Sequence, residues 1–314
     1  MSVNFPNLFI VGAPKCGTTA LAFWLSTNSS LGVILAPKEP MFFCDIGFDF
    51  CGPRCADLNK MVVRSKSEYQ RLVASHIGCD YIVDASTDYL SWPGVAERVR
   101  TASPAAKIIV ILRDPIDRLI SEHLHLVRDG MESLELVGSL AAEDERKAQR
   151  WNTLFYHRTR SKYFEGVRSY LNLFGEENVL ILSYEELQSE PMTIESQVCT
   201  FLGVERSGML RLSSTQMNVS APAKSIILDD FFSGRTAPDW LKFSVKTALG
   251  RNRSIELSSR LRARLRSSRH SPKLNRAKLA EQVCPYIRDE LRMDVSALST
   301  LLGREFNEWK CLYE

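Results

Sequence analysis

The segment from Leu8 to Leu25, which reads LFIVGAPKCGTTALAFWL, constrains the fold of this chain more than any other. Leu8 to Val11 form a short apolar run that suits a buried strand. The run is interrupted from Gly12 to Gly17, and Thr18 and Thr19 then begin a helical pattern. We therefore predict a strand, a tight loop and a helix at the start of the chain.

The loop between this strand and this helix suits an anionic ligand. A glycine-containing loop at a helix N-terminus presents free backbone N–H groups and the positive end of the helix dipole. Lys15 adds a full positive charge within the loop. We predict that a phosphate or sulfate group is bound by Lys15, Cys16, Gly17, Thr18 and Thr19. A plain strand-to-helix turn with a solvated lysine is the alternative that the loop alone leaves open.

The loop does not fit the motif that binds nucleoside triphosphates. That motif, Gly-x-x-x-x-Gly-Lys followed by Ser or Thr, places the lysine next to the hydroxyl that binds Mg²⁺. Here Lys15 lies two positions before Gly17 and is separated from Thr18. The loop instead resembles the G-x-x-K-x-G-T-T loop of sulfotransferases that use 3′-phosphoadenosine 5′-phosphosulfate (PAPS). This resemblance implies that Lys15 and residues 16–19 hold the 5′-phosphosulfate.

A second strand, loop and helix begin at Lys107. Lys107 is followed by five apolar residues, mostly β-branched, and then by R-D-P-I-D-R-L-I-S, in which Pro115 suits a first helical turn. Arg113 can donate two hydrogen bonds to a phosphate, and Ser121 can add a hydroxyl donor. The structural alternative is an ion pair of Arg113 with Asp117. R-D-P-x-x-R-x-x-S resembles the 3′-phosphate motif of the same family. The resemblance implies that Arg113 and Ser121 hold the 3′-phosphate.

A third segment, Ala36 to Phe43, supplies a candidate general base. Its two prolines keep the stretch non-helical, so that Lys38 and Glu39 lie on a rigid loop. Glu39 can take a proton from an acceptor hydroxyl, whereas a surface ion pair with Lys38 is the non-catalytic alternative. K-E-P-x-F-F resembles the segment of carbohydrate-type sulfotransferases whose glutamate is the catalytic base. The resemblance gives Glu39 that role.

The periodicity of the chain predicts an α/β fold. Candidate strands near residues 8, 81, 108 and 179, separated by helical stretches, indicate three layers: a mostly parallel central sheet with helices on both faces. Right-handed crossovers would bring both anion loops to one edge. The family resemblance extends from about residue 6 to 310 with a gap near 220 to 270, and it implies a P-loop-like sulfotransferase fold. We predict a single domain over 1–314 with a basic helical insertion at about 240–278.

Several other residues have two interpretations. Asp84, Ser86 and Tyr89 follow the strand near residue 81 and can meet an acceptor, but Ser86 and Asp88 also suit helix or turn caps. A helix is predicted from Ser67 to His76 with Ser67 as its cap. His123 and His125 are interpreted as packing or surface residues. In the R-x-S-x-Y motif, Ser161 and Tyr163 either approach the cofactor or only pack. The family resemblance implies that a basic residue closes the cofactor site, and Lys224 or Arg235 can serve, although neither lies in a matching motif.

Composition restricts the class of protein and its partners. Apolar residues make up 45% and charged residues 25% of the 314 residues, and the net charge of +3 is too small to favour nucleic acid as a partner. No apolar run reaches membrane-spanning length and only seven residues precede the first strand, so we expect a cytoplasmic protein. Cys44, Cys51 and Cys55 fit no standard zinc spacing, so no metal is expected.

The function predicted from the sequence is transfer of a sulfuryl group from PAPS to a hydroxyl or amine of a small-molecule or saccharide acceptor. Lys15 stabilises the leaving phosphate, Glu39 is the general base, and adenosine 3′,5′-bisphosphate (PAP) is the product. A sulfuryl group carries less charge than a phosphoryl group, so no metal is required. Two alternatives remain: a P-loop kinase or NTPase, and a non-catalytic nucleotide-binding protein on this scaffold. The acceptor, the choice between O- and N-sulfation, and the oligomeric state stay open.

Overall fold

The computed structural model describes residues 5–206, 209–215 and 276–309. They form a parallel sheet in the order β2-β3-β1-β4-β5. The strands are β1 (Leu8–Gly12), β2 (Leu31–Val33), β3 (Tyr81–Asp84), β4 (Lys107–Leu112) and β5 (Val179–Ser183). The prediction of an α/β fold on a parallel sheet is confirmed. The short edge strand β2 comes from an apolar run that the sequence interpretation had not counted among the strands.

The helices connect the strands across both faces of the sheet. They are α1 (Thr18–Leu25), α2 (Cys55–Met61), α3 (Lys66–Ala74), α4 (Val95–Ala102), α5 (Pro115–Arg128), α6 (Leu136–Ala141), α7 (Glu143–Ala148), α8 (Phe164–Phe174), α9 (Tyr184–Ser189), α10 (Pro191–Leu202) and α11 (Arg276–Leu302). Along the sheet, the connection from β1 to β2 runs toward the β2 edge, and the connections from β3 to β4 and from β4 to β5 run toward the β5 edge. Right-handed crossovers therefore place α1 on one face and α4 and α8 on the other.

Two helix starts test the cap assignments made from the sequence. Helix α5 begins at Pro115, as predicted, and the Asp114 carboxylate accepts from the N–H groups of Ile116 and Asp117 at 2.9 and 3.2 Å. Helix α3 is capped by Ser65, whose Oγ accepts from the Glu68 N–H at 3.2 Å. The prediction of Ser67 as the cap was wrong, because Ser65 and Glu68 have the S-x-x-E spacing of a capping box.

The carboxyl ends of β1 and β4 lie side by side near the middle of the sheet. Both strands are buried and paired, and beyond β1 the Ala13 N–H donates to the Ile111 carbonyl at 2.7 Å. The loops that follow these strands therefore start at one edge, as the sequence predicts. In open α/β sheets this edge is where ligands bind.

The C-terminal predictions fall largely outside the described residues. Lys224, Arg235 and most of the predicted insertion at about 240–278 lie there, so the single-domain boundaries stay a prediction. Within the described ranges, no helix has both the length and the apolar character needed to cross a membrane.

Candidate functional site

The turn between β1 and α1 is tightly formed around its glycine. Lys15 and Gly17 both have left-handed backbone conformations, with φ of 67° and 87°. The positive φ of Gly17 favours glycine, and a Cβ added there would also lie 2.5 Å from Leu187 Cδ2 of α9. Gly17 is also the N-cap of α1, and no side chain caps the helix there. The N–H groups of Thr18 and Thr19 thus lie at a helix N-terminus that no side chain caps, which suits an anion.

Lys15 is half-buried at the start of this turn. Burial lowers the pKa of its ammonium, and the nearby carboxylate of Glu122 opposes part of that effect. A partly desolvated cation interacts more strongly with a neighbouring anion than a fully solvated one does. The neighbouring Cys16 side chain is buried, and burial raises the pKa of its thiol to about 12, so the thiol stays protonated. Its Sγ donates to the Pro14 carbonyl at 3.5 Å, which leaves the backbone N–H of Cys16 as the group suited to an anion.

Arg113 joins the turn after β4 to the turn after β1. Its Nη1 donates to the Lys15 carbonyl at 3.2 Å, and its Nη2 lies 3.3 Å from Asp117 Oδ2. The guanidinium also lies over the Tyr184 ring, 4.5 Å from its centroid. Its buried Nε has no hydrogen-bond partner within the described residues. The two predicted phosphate motifs are therefore in direct contact, and Arg113 retains an unfilled donor.

The remaining residues of the second motif lie along α5. Ser121 is buried and lies four residues beyond Asp117, which places both on one helix face. Arg276, at the start of α11, donates from Nη2 to the Asp117 carbonyl at 3.3 Å. Arg276 was not singled out from the sequence, which offered only a generally basic segment as a signal. It brings a further cation close to Arg113.

Glu39 is held between two partners on the loop after β2. Its Oε1 lies 2.9 Å from Lys38 Nζ, and its Oε2 accepts from Thr87 Oγ1 at 2.8 Å and from the Thr87 N–H at 3.3 Å. Burial acts to raise the pKa of Glu39, but the charge and hydrogen bonds of Lys38 and Thr87 outweigh it and lower the pKa. The side chain remains 31% exposed. Glu39 is thus an ionised, accessible carboxylate.

Asp84 is buried at the end of β3 and supports the loop of Glu39 through hydrogen bonds. Its Oδ2 accepts from the hydroxyls of Tyr69 and Tyr89 at 2.6 and 2.9 Å, and its Oδ1 accepts from Ser86 Oγ at 2.7 Å. The Ser86 and Tyr89 oxygens in turn accept from the backbone N–H groups of Met41 and Phe43. These side chains hold the loop of Glu39 in place. Ser86 is the N-cap residue of the short 3-10 helix Thr87–Leu90, as one interpretation predicted, but its side chain makes no capping hydrogen bond. Asp84 is completely buried.

Asp88 belongs to a buried group of charges and is not a cap. Its Oδ1 lies 3.1 Å from Arg160 Nε, and Arg160 also contacts Glu122. Glu122 in addition lies 2.8 Å from Arg118, and these partners keep its pKa well below the usual range against the effect of burial. Sequence reasoning assigned no role to Arg118, Glu122 or Arg160. The spacing of Arg118 and Glu122 along α5 was the signal available.

Ser161 and Tyr163 pack against the start of α5. Ser161 Oγ accepts from Arg118 Nε at 2.7 Å and donates to the Pro115 carbonyl at 3.1 Å. The Tyr163 hydroxyl donates to the Arg113 carbonyl at 3.0 Å. Both side chains are buried and satisfied, which supports the packing interpretation of these two residues.

His123 lies in a buried cluster with Glu132 and His157, whose possible ligand atoms lie within 4.8 Å of one another. Arg146 binds both Glu132 oxygens, at 2.6 and 3.1 Å, and Ser139 Oγ donates to one of them at 2.7 Å. Because this carboxylate is already neutralised and filled, the cluster is poorly suited to a cation.

His125 lies on α5, and its side chain is half-buried. Burial and the charge of Lys15 lower its pKa to about 4. The imidazole is therefore neutral at physiological pH.

Comparisons with known proteins identify relatives. The model of the Sulfotransferase family matches residues 6–208. The crystal structure of a sulfotransferase from Alicyclobacillus acidocaldarius superposes with a TM-score of 0.70 at 30% identity, and the match covers 97% of this chain and 98% of that one.

Two curated mouse proteins match a smaller part of the chain. The bifunctional heparan sulfate N-deacetylase/N-sulfotransferase 4 of Mus musculus is 27% identical over 215 residues, which cover 64% of this chain and 22% of that protein. The heparan sulfate glucosamine 3-O-sulfotransferase 6 of the same species is 25% identical over 208 residues, which cover 65% of this chain and 54% of that protein. This chain thus spans from about a fifth to about half the length of these curated relatives.

Proposed function

This chain belongs to the sulfotransferase family, and from that premise we propose that it moves a sulfuryl group from PAPS to a hydroxyl or amine of a small-molecule or saccharide acceptor. The observation that carries the proposal is the contact of Arg113 with the carbonyl of Lys15. It joins a turn suited to a 5′-phosphosulfate to a motif suited to a 3′-phosphate. The unfilled Nε of Arg113 fits the arrival of an anion at this position.

The residues of the site divide into a donor half and an acceptor half. In the donor half, Lys15 and the N–H groups of residues 16–19 hold the 5′ end, and Arg113 and Ser121 hold the 3′-phosphate, with Arg276 nearby. In the acceptor half, Glu39 takes the proton of the attacking hydroxyl or amine. A new bond forms to sulfur as the bond from sulfur to the 5′-phosphate oxygen breaks, and Lys15 compensates the charge on that oxygen.

The names of the curated relatives favour a saccharide acceptor, because both act on heparan sulfate. Glu39 agrees with this class, since its segment resembles that of carbohydrate-type sulfotransferases. The proposed donor requires no metal, because Lys15 and backbone N–H groups supply the compensating charge. Small-molecule acceptors remain within the proposal.

A transfer assay tests the proposed function. The purified protein would be incubated with isotopically labelled PAPS and a panel of saccharide and small-molecule acceptors, and products would be read by the mass gain of one sulfuryl group. We expect transfer without added Mg²⁺. Activity only with ATP and Mg²⁺ would support a kinase or NTPase. Binding of PAP by calorimetry with no transfer to any acceptor would support a non-catalytic nucleotide-binding protein.

Substitution of Arg113 by alanine is expected to weaken nucleotide binding. Charge-assisted hydrogen bonds contribute about 1.5–3 kcal/mol, so the Kd for PAP should rise about tenfold to a hundredfold. Calorimetric titration with PAP would measure it. The control is Arg168→Ala, which removes an arginine of similar size that is 46% exposed and pairs with Glu165 on the surface. Equal Kd values for the two variants would remove Arg113 from the cofactor site.

A further inference from the structure

Four buried charged residues lie behind the proposed site, and we call them the buried charge group. Their side chains are at most 5% exposed. The members are Asp88, Arg118, Glu122 and Arg160. Two arginines balance two carboxylates, which is the condition under which charges are tolerated in a protein interior.

Arg160 is the member that bridges two elements of the site. Its Nε lies 3.1 Å from Asp88 Oδ1, and its Nη1 contacts Glu122 Oε1. Asp88 follows Thr87, whose hydroxyl and N–H donate to Glu39. Glu122 lies on α5, where it follows directly after the predicted 3′-phosphate residue at position 121. Arg160 therefore ties the turn that holds Glu39 to the helix that carries the second phosphate motif.

The charge of Arg160 reaches both proposed reactive side chains. Arg160 helps to lower the pKa of Lys15, although burial and the charges of Glu122 and Arg128 have larger effects on that pKa. It also lowers the pKa of Glu39, against burial and in addition to the effects of Lys38 and Thr87. The charge of the guanidinium therefore acts on both side chains. Its Nη1 donates to Glu122, whereas its Nε forms an ion pair with Asp88 that lacks hydrogen-bond geometry.

We propose that Arg160 is a positioning residue of the transfer reaction, which fixes Glu39 relative to the bound sulfuryl donor by holding Asp88 and Glu122 together. This inference rests on the proposed function. Displacement in line requires reacting atoms about 3–3.5 Å apart, and a misplacement of about 1 Å can lower the rate about a hundredfold. Arginine suits the task because its planar fork can bind two carboxylates at fixed angles, which the single ammonium of lysine cannot do.

The first test is Arg160→Lys, which keeps the charge and removes the fork. We expect kcat to fall about tenfold to a hundredfold, while the Kd for PAP stays at the wild-type value. The matched control is Arg158→Lys, two residues earlier, where the guanidinium pairs with Asp144 and Glu290 near the surface. The control should retain the wild-type kcat. Equal kcat values for the two variants would refute the inference.

A double variant separates positioning from general structural damage. If Arg160 acts through Glu39, Arg160→Lys should lower the residual kcat of a Glu39→Gln protein much less than it lowers the kcat of the wild type. The same loss in both backgrounds would refute the inference. If Glu39→Gln alone left turnover unchanged, the base assignment and this inference would both be wrong. A loss in Glu39→Gln with none in Arg160→Lys would refute this inference alone.

The pH profile supplies a readout that a purely structural role would not move. Arg160→Met removes the charge that lowers the pKa of Glu39, so the acid limb of kcat should shift to higher pH. Arg160→Lys should leave that limb in place. Because Arg160→Met leaves Asp88 and Glu122 buried without this partner, it can fail to fold, and Arg160→Lys then decides the test. An acid limb that stays unchanged in folded Arg160→Met would refute the electrostatic part of the inference.

Discussion

Replacement of Lys15 by methionine is expected to lower turnover with PAPS about a hundredfold or more, because one preorganised donor to a developing oxyanion contributes about that much. Methionine keeps a long unbranched side chain and removes the ammonium that we propose compensates charge on the leaving 5′-phosphate oxygen. The measurement is kcat at saturating PAPS, with PAP binding followed separately by calorimetry. A kcat loss with a smaller change in PAP affinity would place the effect in the transition state.

The control for this prediction removes a lysine elsewhere. Lys162→Met removes a cation that is 42% exposed and pairs with Glu290, so its turnover should match that of the wild type. Lys15→Met with wild-type turnover would exclude Lys15 from the reaction.

The titration of Lys15 should make the transfer rate depend on pH. Burial lowers its pKa below the ordinary value of 10.5, so the ammonium proposed to act in the reaction is lost as the pH rises through that lowered pKa. The rate should therefore have an alkaline limb below pH 10.5. Lys15→Arg should retain part of the activity and lose this limb, because a guanidinium does not titrate in this range.

The parts of the site predicted from the sequence are those encoded locally. A short apolar run, a glycine-containing turn and a helical pattern lie together around Lys15, and the same order recurs around Arg113. Parallel strands bring such turns to one sheet edge, so their meeting follows from periodicity and the handedness of crossovers. The observed contact from Arg113 to the Lys15 carbonyl agrees with that expectation.

The parts that the sequence did not reveal depend on pairs that are distant in the chain. Arg276 reaches Asp117 across 159 residues. Arg160 meets Asp88 and Glu122 only because β3, α5 and the segment before α8 converge behind the sheet edge. A single sequence carries no signal for such pairings, since each charged residue alone looks like an ordinary surface residue or cap. For this reason the interpretation of Asp88 as a helix or turn cap was wrong.

The interior of the site explains why a surface-type interpretation of Glu39 is insufficient. An isolated surface ion pair with Lys38 would contribute little and would leave the carboxylate free to move. Here Thr87 binds the second oxygen, and Asp84 fixes the loop through Ser86 and Tyr89. A carboxylate held on one side by structure and open on the other suits proton transfer, which depends on geometry before pKa.

Replacement of Glu39 by glutamine is therefore expected to lower kcat about a hundredfold or more, since loss of a positioned general base removes that much rate enhancement. Glutamine keeps the shape and an oxygen for the Thr87 hydroxyl, but it cannot take the acceptor proton. PAP affinity should be unchanged, because Glu39 lies outside the donor half. The control is Glu165→Gln, which neutralises a carboxylate that is 68% exposed and pairs with Arg168.

The pH profile provides the second check on Glu39. Lys38 and Thr87 lower its pKa below the ordinary value of 4.5, so the wild-type base stays ionised until the pH falls through that lowered pKa. The acid limb of kcat should accordingly lie below pH 4.5 and disappear in Glu39→Gln. An acid limb that persists in this variant at near-normal turnover would assign the base to another group.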